Sequence, residues 1–266
     1  MNDTVLVTRT ADNPSIAVLT FNRPAVFNAM NDELIEAFRE AAVSLANTPG
    51  IRALIVRGEG KAFLAGGDVS YFFRAKDDPN LAARVKQLGD LLHEGTIALR
   101  EAPYPVIACI QGACAGAGLS VAMACDFAIA SETASFNSAY TKIGTSPDGG
   151  STWFLPRVVG MKKATELIML ADNISAQEAM SLGLVNRVVP PDALEATVNA
   201  LAMRLASGAT VAYANAKKLI NQSYATAIKA HLDDEIALFA RATQTADFKE
   251  GVTAFVEKRK PVFQGQ

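Results

Sequence analysis

Apolar residues in the first half of the chain fall into two alternating patterns. Short runs of apolar or β-branched residues at 16–21, 53–57, 106–110 and 127–130 are bounded by glycine, proline or charge, and they read as strands. Between them apolar positions recur every three or four residues, the period of an amphipathic helix. The first such helix begins after Asn31, whose side chain can cap free amides, while Asp32 and Glu33 suit the positive end of its dipole; Leu34, Phe38 and Leu45 share its core face. A second spans 81–100 with Leu81, Val85, Leu88 and Leu92 in register, and Pro103 and Pro105 stop it.

Strands separated by helices predict an α/β domain whose mainly parallel strands are joined by crossovers. After Pro156 the strand signal nearly vanishes. One late candidate, 184–189, follows a helix that opens on a capping box of Ser175 and Glu178 and closes at Gly183. From Pro191 onward the pattern is helical and rich in Ala and Leu, which divides the chain into a core over 1–190 and a helical appendage or oligomerisation region over 191–266.

Composition narrows the class. A chain of 266 residues, half of them hydrophobic and one fifth charged, is long enough for one large folded domain. Lys and Arg number 25 against 27 Asp and Glu, with no long run of either sign, so nucleic acid is not an expected partner. Cys109, Cys114 and Cys125 sit in small apolar surroundings, an odd count that suggests buried thiols in a reducing compartment. Met1-Asn2-Asp3-Thr4 lacks the basic stretch and apolar core of a leader, and no apolar run is long enough to cross a membrane. The expected location is the cytoplasm.

Three loops carry candidate chemistry. Gly58 to Asp68 fails as a phosphate loop, because Ile55 and Ala62 stand where glycine and a hydroxyl are required. Gly66 and Gly67 can instead turn an amide into a cleft, and Asp68 can cap the next helix. Gln111 to Gly118 opens an Ala-rich helix with unpaired amides; it lacks the third glycine of a dinucleotide fingerprint, where Val121 stands. Two amides from different loops are what an oxyanion hole requires. The third loop, Thr145-Ser146-Pro147-Asp148-Gly149-Gly150, places one carboxylate on a tight turn. Asp148 is the candidate acid/base, although Pro-Asp-Gly is also ordinary turn chemistry.

The blocks Asn22-Arg23-Pro24 with Asn28-Ala29-Met30, Ala62 to Asp68, Gln111 to Asp126, Leu155-Pro156-Arg157, Ile174 to Ala179, Gly183-Leu184-Val185 and Phe255 to Lys260 together resemble the crotonase (enoyl-CoA hydratase/isomerase) superfamily over nearly the full length. The resemblance implies a ββα spiral core, a helical C-terminal trimerisation region, and a trimer or dimer of trimers. It places the oxyanion amides at Gly67 and Ala117, holding the thioester carbonyl of an acyl-CoA substrate, with coenzyme A entering as part of that substrate and no separate cofactor. Ala25, Ala62, Phe63, Leu64, Ala65, Asp68, Tyr140 and Trp153 are the implied substrate contacts, Ala65 and Asp68 near the adenine. Phe255, Lys258 and Lys260 would lie near a neighbouring subunit's coenzyme pocket.

Hydratases of the superfamily use two glutamates, and the matching positions here are Ser120 and Tyr140. The Asp148 turn is instead similar to that of the single-acid enoyl-CoA isomerases, including the type acting on ring-oxepin derivatives of phenylacetyl-CoA. Moving a double bond needs one carboxylate that removes a proton and returns it elsewhere, so an enoyl-CoA isomerase is expected. In this expectation Tyr140 lines the acyl pocket or donates a hydrogen bond but chiefly packs, and Ser120 fills space, while Phe72, Phe73, Leu91, Trp153 and Phe154 are candidates for the acyl pocket. An enoyl-CoA hydratase, a serine hydrolase using Ser120 and His231, and a non-catalytic acyl-CoA-binding protein remain open alternatives. The two histidines, His93 and His231, belong to no ligand-spaced motif, so no metal is expected.

Overall fold

A computed structural model describes residues 3–266. Strands β1 (Val5–Arg9) and β2 (Ile16–Phe21) pair antiparallel, α1 (Asp32–Ala46) crosses over, and β3 (Ala53–Gly58) lies parallel to β2. The chain then repeats one manoeuvre, in which a long strand is followed by a short strand in a second sheet and then by helix. β3 leads to β4 (Ala62–Leu64), α2 (Val69–Ala75) and α3 (Leu81–Glu101). β5 (Val106–Ile110) leads to β6 (Ala113–Ala115) and α4 (Ala117–Ala124), and β7 (Phe127–Ser131) to β8 (Ser135–Asn137) and α5 (Ser151–Met169). With β9 (Ile174–Ser175), α6 (Ala176–Ser181) and β10 (Arg187–Val189), the sheets run β1-β2-β3-β5-β7-β10 and β4-β6-β8-β9. This is the crotonase-type spiral.

The central strands β2, β3, β5 and β7 are largely buried because both faces of the larger sheet are covered there, whereas β1 at the edge is mostly exposed. α1 lays Leu34, Phe38 and Leu45 on one face, where the Phe21 ring meets Phe38 and Phe63 at centroid distances of 5.5 and 6.0 Å. On the other, α7 (Leu194–Ala206) buries Leu194, Val198, Ala202 and Leu205 against Ile16, Ile55, Ile107 and Ile129. Cys109, Cys114 and Cys125 are buried free thiols.

Asn31 caps α1 by accepting the Leu34 amide, and Ser175 with Glu178 forms the expected capping box. Two expectations change. α3 has the expected extent, but Leu92, Gly95, Thr96 and Leu99 are buried, whereas Val85 is exposed. The reason is the crossing with α1: a Cβ at Gly95 would stand 2.6 Å from the Phe38 ring, so the close contact falls on the second half of α3. The late strand begins at Arg187 rather than 184, because the Leu184 amide turns back to the Ala179 carbonyl behind left-handed Gly183.

Beyond α7 come α8 (Thr210–Gln222), α9 (Ile228–Ala242) and α10 (Ala246–Val256). Lys217 fastens α8 to the core: its Nζ lies 2.8 Å from Asp126 Oδ2 and donates to the carbonyls of Leu99 and Tyr104. Burial pushes Lys217 down and Asp126 up from their ordinary values, and the ion pair opposes both shifts. Arg52 ties in the tail through the carbonyls of Gly208 and Phe263. α9 buries no residue, and Ile228, Leu232, Ile236 and Phe239 are exposed. Among the described residues no helix is long and apolar enough to cross a membrane.

Candidate functional site

Past β4 the chain turns at Gly66, whose φ of +90° is left-handed. Met30 bridges the next residues, its amide donating to the Gly66 carbonyl at 2.7 Å and its carbonyl accepting the Asp68 amide at 2.9 Å. The Gly67 amide between them is left unused. Past β6, Gly116 opens α4, and Ala117 contributes an amide of its first turn. Neither the Gly67 nor the Ala117 amide donates to any group among the described residues. A Cβ at Gly66 would stand 3.1 Å from the Ala115 carbonyl oxygen, so the two loops touch through bare backbone. Two free amides side by side can donate to one developing oxyanion.

Side chains outside the cleft hold these loops. Asn28, fully buried, donates to the carbonyls of Glu59, Ala62 and Phe63 and accepts the Arg23 amide. Gln111 donates to the carbonyls of Gly58 and Ala62. Asp68 caps α2 through the Ser70 and Tyr71 amides and lies 3.5 Å from the Arg23 guanidinium.

The Asp148 turn is bonded from three sides. Tyr140 Oη donates to Asp148 Oδ1 at 2.6 Å, while Asp148 Oδ2 has no partner among the described residues. Ser120 Oγ lies 3.1 Å from the Asp148 carbonyl oxygen and 2.6 Å from Ser151 Oγ. The Gly149 amide donates to His93 Nε2 at 3.3 Å. Burial, followed by the charge of Asp148, pushes the Tyr140 phenol above its ordinary value and keeps it a donor. α4 joins the two halves of the site: Ala117 supplies an amide, and Ser120, one turn further on, holds the aspartate's peptide.

Tyr140 thus donates a hydrogen bond, one of the roles open to it from the sequence, and Ser120 does more than fill space, since both bond the turn that carries Asp148. His93 is a partner that nothing local in the sequence announces, because its contact lies some fifty residues along the chain. The serine hydrolase alternative is not assembled, because Ser120 is engaged with Ser151 and His231 Nε2 faces Glu235 on α9 at 3.5 Å.

The remaining expected contacts are dispersed. Ala62, Phe63 and Leu64 have fully buried side chains in β4, and Ala65, half-buried, donates its amide to the Phe27 carbonyl. Ala25 is exposed on the short turn Pro24–Val26. Phe72 lies over Gly67, where a Cβ would approach its ring to 3.0 Å. Trp153 lines a separate cavity of about 200 Å³ with Arg100, Asp126 and Arg157, and the Arg157 guanidinium stacks 3.8 Å from its ring centre. Phe255 is 84% exposed and Lys258 is exposed, so within one chain neither packs against the oxyanion loops.

This arrangement has relatives. The sequence pattern of the family described as enoyl-CoA hydratase/isomerase matches residues 11–266. The chain belongs to the enoyl-CoA hydratase/isomerase family. It is 38% identical to a probable enoyl-CoA hydratase of Rhodobacter capsulatus, covering 94% of this chain and 95% of the relative. It is 35% identical to 1,2-epoxyphenylacetyl-CoA isomerase of Escherichia coli, again over 94% and 95% of the two chains. The crystal structure of an enoyl-CoA hydratase from Polaromonas sp. JS666 superposes with a TM-score of 0.90 at 35% identity, covering 98% of this chain and 99% of that one. The family thus includes both hydratases and isomerases, and this member carries the fold they share.

Proposed function

We propose that this member is an enoyl-CoA isomerase with Asp148 as its single acid/base. The observation that carries the reading is the 2.6 Å hydrogen bond from Tyr140 to Asp148, because the residues at both hydratase glutamate positions, Ser120 and Tyr140, bond the aspartate turn instead. With Oδ1 engaged, Oδ2 is the atom free to carry a proton. In a 3-enoyl thioester, Oδ2 takes a proton from C2 and that C–H pair delocalises into a dienolate, placing negative charge on the thioester oxygen between the Gly67 and Ala117 amides. The same proton is then delivered to C4, the double bond settles between C2 and C3, and Asp148 is again a carboxylate. No water is consumed, and the coenzyme A portion is substrate rather than cofactor. The chemistry accommodates ring-derived thioesters such as 1,2-epoxyphenylacetyl-CoA, whose isomerisation also passes charge through the thioester.

Purified protein incubated with 3-enoyl- and 2-enoyl-CoA thioesters should interconvert the double-bond positions, and Asp148→Asn should lose at least about a hundredfold. Rapid formation of 3-hydroxyacyl-CoA, or parental turnover by the Asn variant, would defeat the single-acid mechanism. We also propose a trimer or dimer of trimers, supported by the apolar stripe Ile228, Leu232, Ile236 and Phe239 on α9 and by exposed Phe255 on α10. Light scattering that gave a stable monomer with full acyl-CoA affinity would rule this out.

A further inference from the structure

The two residues that follow Asp148 are glycines in left-handed conformation, with φ of +63° at Gly149 and +104° at Gly150. Neither has a side chain to limit how the turn settles. The base is therefore as well directed as the bonds that hold its flanking peptides. Tyr140 and Ser120 account for the carboxylate and the carbonyl of Asp148 itself. The next peptide is held by His93, on α3, whose Nε2 accepts the Gly149 amide at 3.3 Å. The adjoining space is tight as well, since a Cβ at Gly149 would meet Ser120 Cβ at 3.1 Å and Leu92 Cδ2 at 3.4 Å. In this contact the imidazole nitrogen accepts through its ring lone pair.

We propose that His93 is a positioning residue for Asp148: by accepting the Gly149 amide it fixes the peptide after the aspartate and with it the direction of Oδ2. In this role the residue acts through the turn. The inference rests on Asp148 being the base, and its test separates the two claims.

His93→Leu keeps bulk but removes the acceptor, whereas His93→Gln can place an amide oxygen where Nε2 stands. The side chain is exposed, so neither change disturbs the core, and thermal melts of both variants should match the parent. With 3-hexenoyl-CoA as probe, His93→Leu should lower kcat about two- to tenfold, the range of one ordinary hydrogen bond, with KM unchanged. His93→Gln should recover most of the loss. In an Asp148→Asn background His93→Leu should reduce the residual rate no further, because a residue that acts through the aspartate has nothing left to position. Parental kcat in His93→Leu, a His93→Gln variant as slow as the Leu variant, or losses that multiply with Asp148→Asn would each overturn the assignment of His93. Parental turnover by Asp148→Asn alone would instead remove the base.

Discussion

Replacing Tyr140 by Phe deletes one oxygen and leaves the ring in place, which makes it a clean probe of how the carboxylate is held. The lost contact is a 2.6 Å O–H···O bond to Asp148 Oδ1, within the short range of charge-assisted hydrogen bonds. Bonds to charged groups contribute about 1.5–3 kcal/mol. Asp148 is exposed, so water can take up part of the vacancy and the lower half of that range applies. A loss of about 1.5–2 kcal/mol in the proton-transfer step corresponds to about a ten- to thirtyfold fall in kcat. KM should stay put, since in the proposed mechanism the phenol orients the base while main-chain amides hold the thioester. Because burial and the neighbouring carboxylate raise the Tyr140 phenol, the parental enzyme should show no loss attributable to its ionisation up to about pH 10, the ordinary phenol value. The assay is steady-state isomerisation of a 3-enoyl-CoA, followed from pH 6 to 10 alongside a thermal melt. A correctly folded Phe variant with parental kcat would show that the contact does not orient the base.

Lys217→Met should cost about 3–5 kcal/mol in urea unfolding, because it leaves Asp126 buried without its cation; a change below about 1 kcal/mol would mean that Asp126 finds water or another partner. Burial pushes the Cys109 thiol up to about 11 from an ordinary 9.0, so the folded state holds its proton longer than the unfolded one. That contribution is complete below pH 9 and is lost as pH rises to 11; the urea midpoint should fall across this window, less steeply in Cys109→Ala, and equal slopes would refute the assignment.

The central strands of the larger sheet were legible because their apolar runs are long and bounded, with 16–21 and 106–110 at their observed limits, whereas exposed β1 at the edge showed no such run. The smaller sheet was not, since β4, β6, β8 and β9 have two or three residues each, too few for any period to register. The glycines around Gly67 and Ala117 announced themselves through the conformations only glycine takes up easily. Asp148 stood out as a carboxylate in a turn. Its partners did not, because Ser120, Tyr140 and His93 converge from three separate segments and nothing local in their sequence records the meeting. Trp153, a candidate for the acyl pocket, stacks on Arg157 one helical turn further on.

Leu64 of β4 lies opposite Cys114 of β6, and Gly67 and Ala117 each follow three residues later. The two amides thus stand at equivalent places after neighbouring parallel strands. The proposed cradle for the anion is main chain, positioned by the strand order and by the side chains of Asn28 and Gln111 that bond its loops from outside the cleft. The proposed proton carrier, Asp148, belongs to a different segment and is held by the side chains of Tyr140, Ser120 and His93. A protein wired in this way can exchange one reaction for another while keeping its grip on the same oxygen atom.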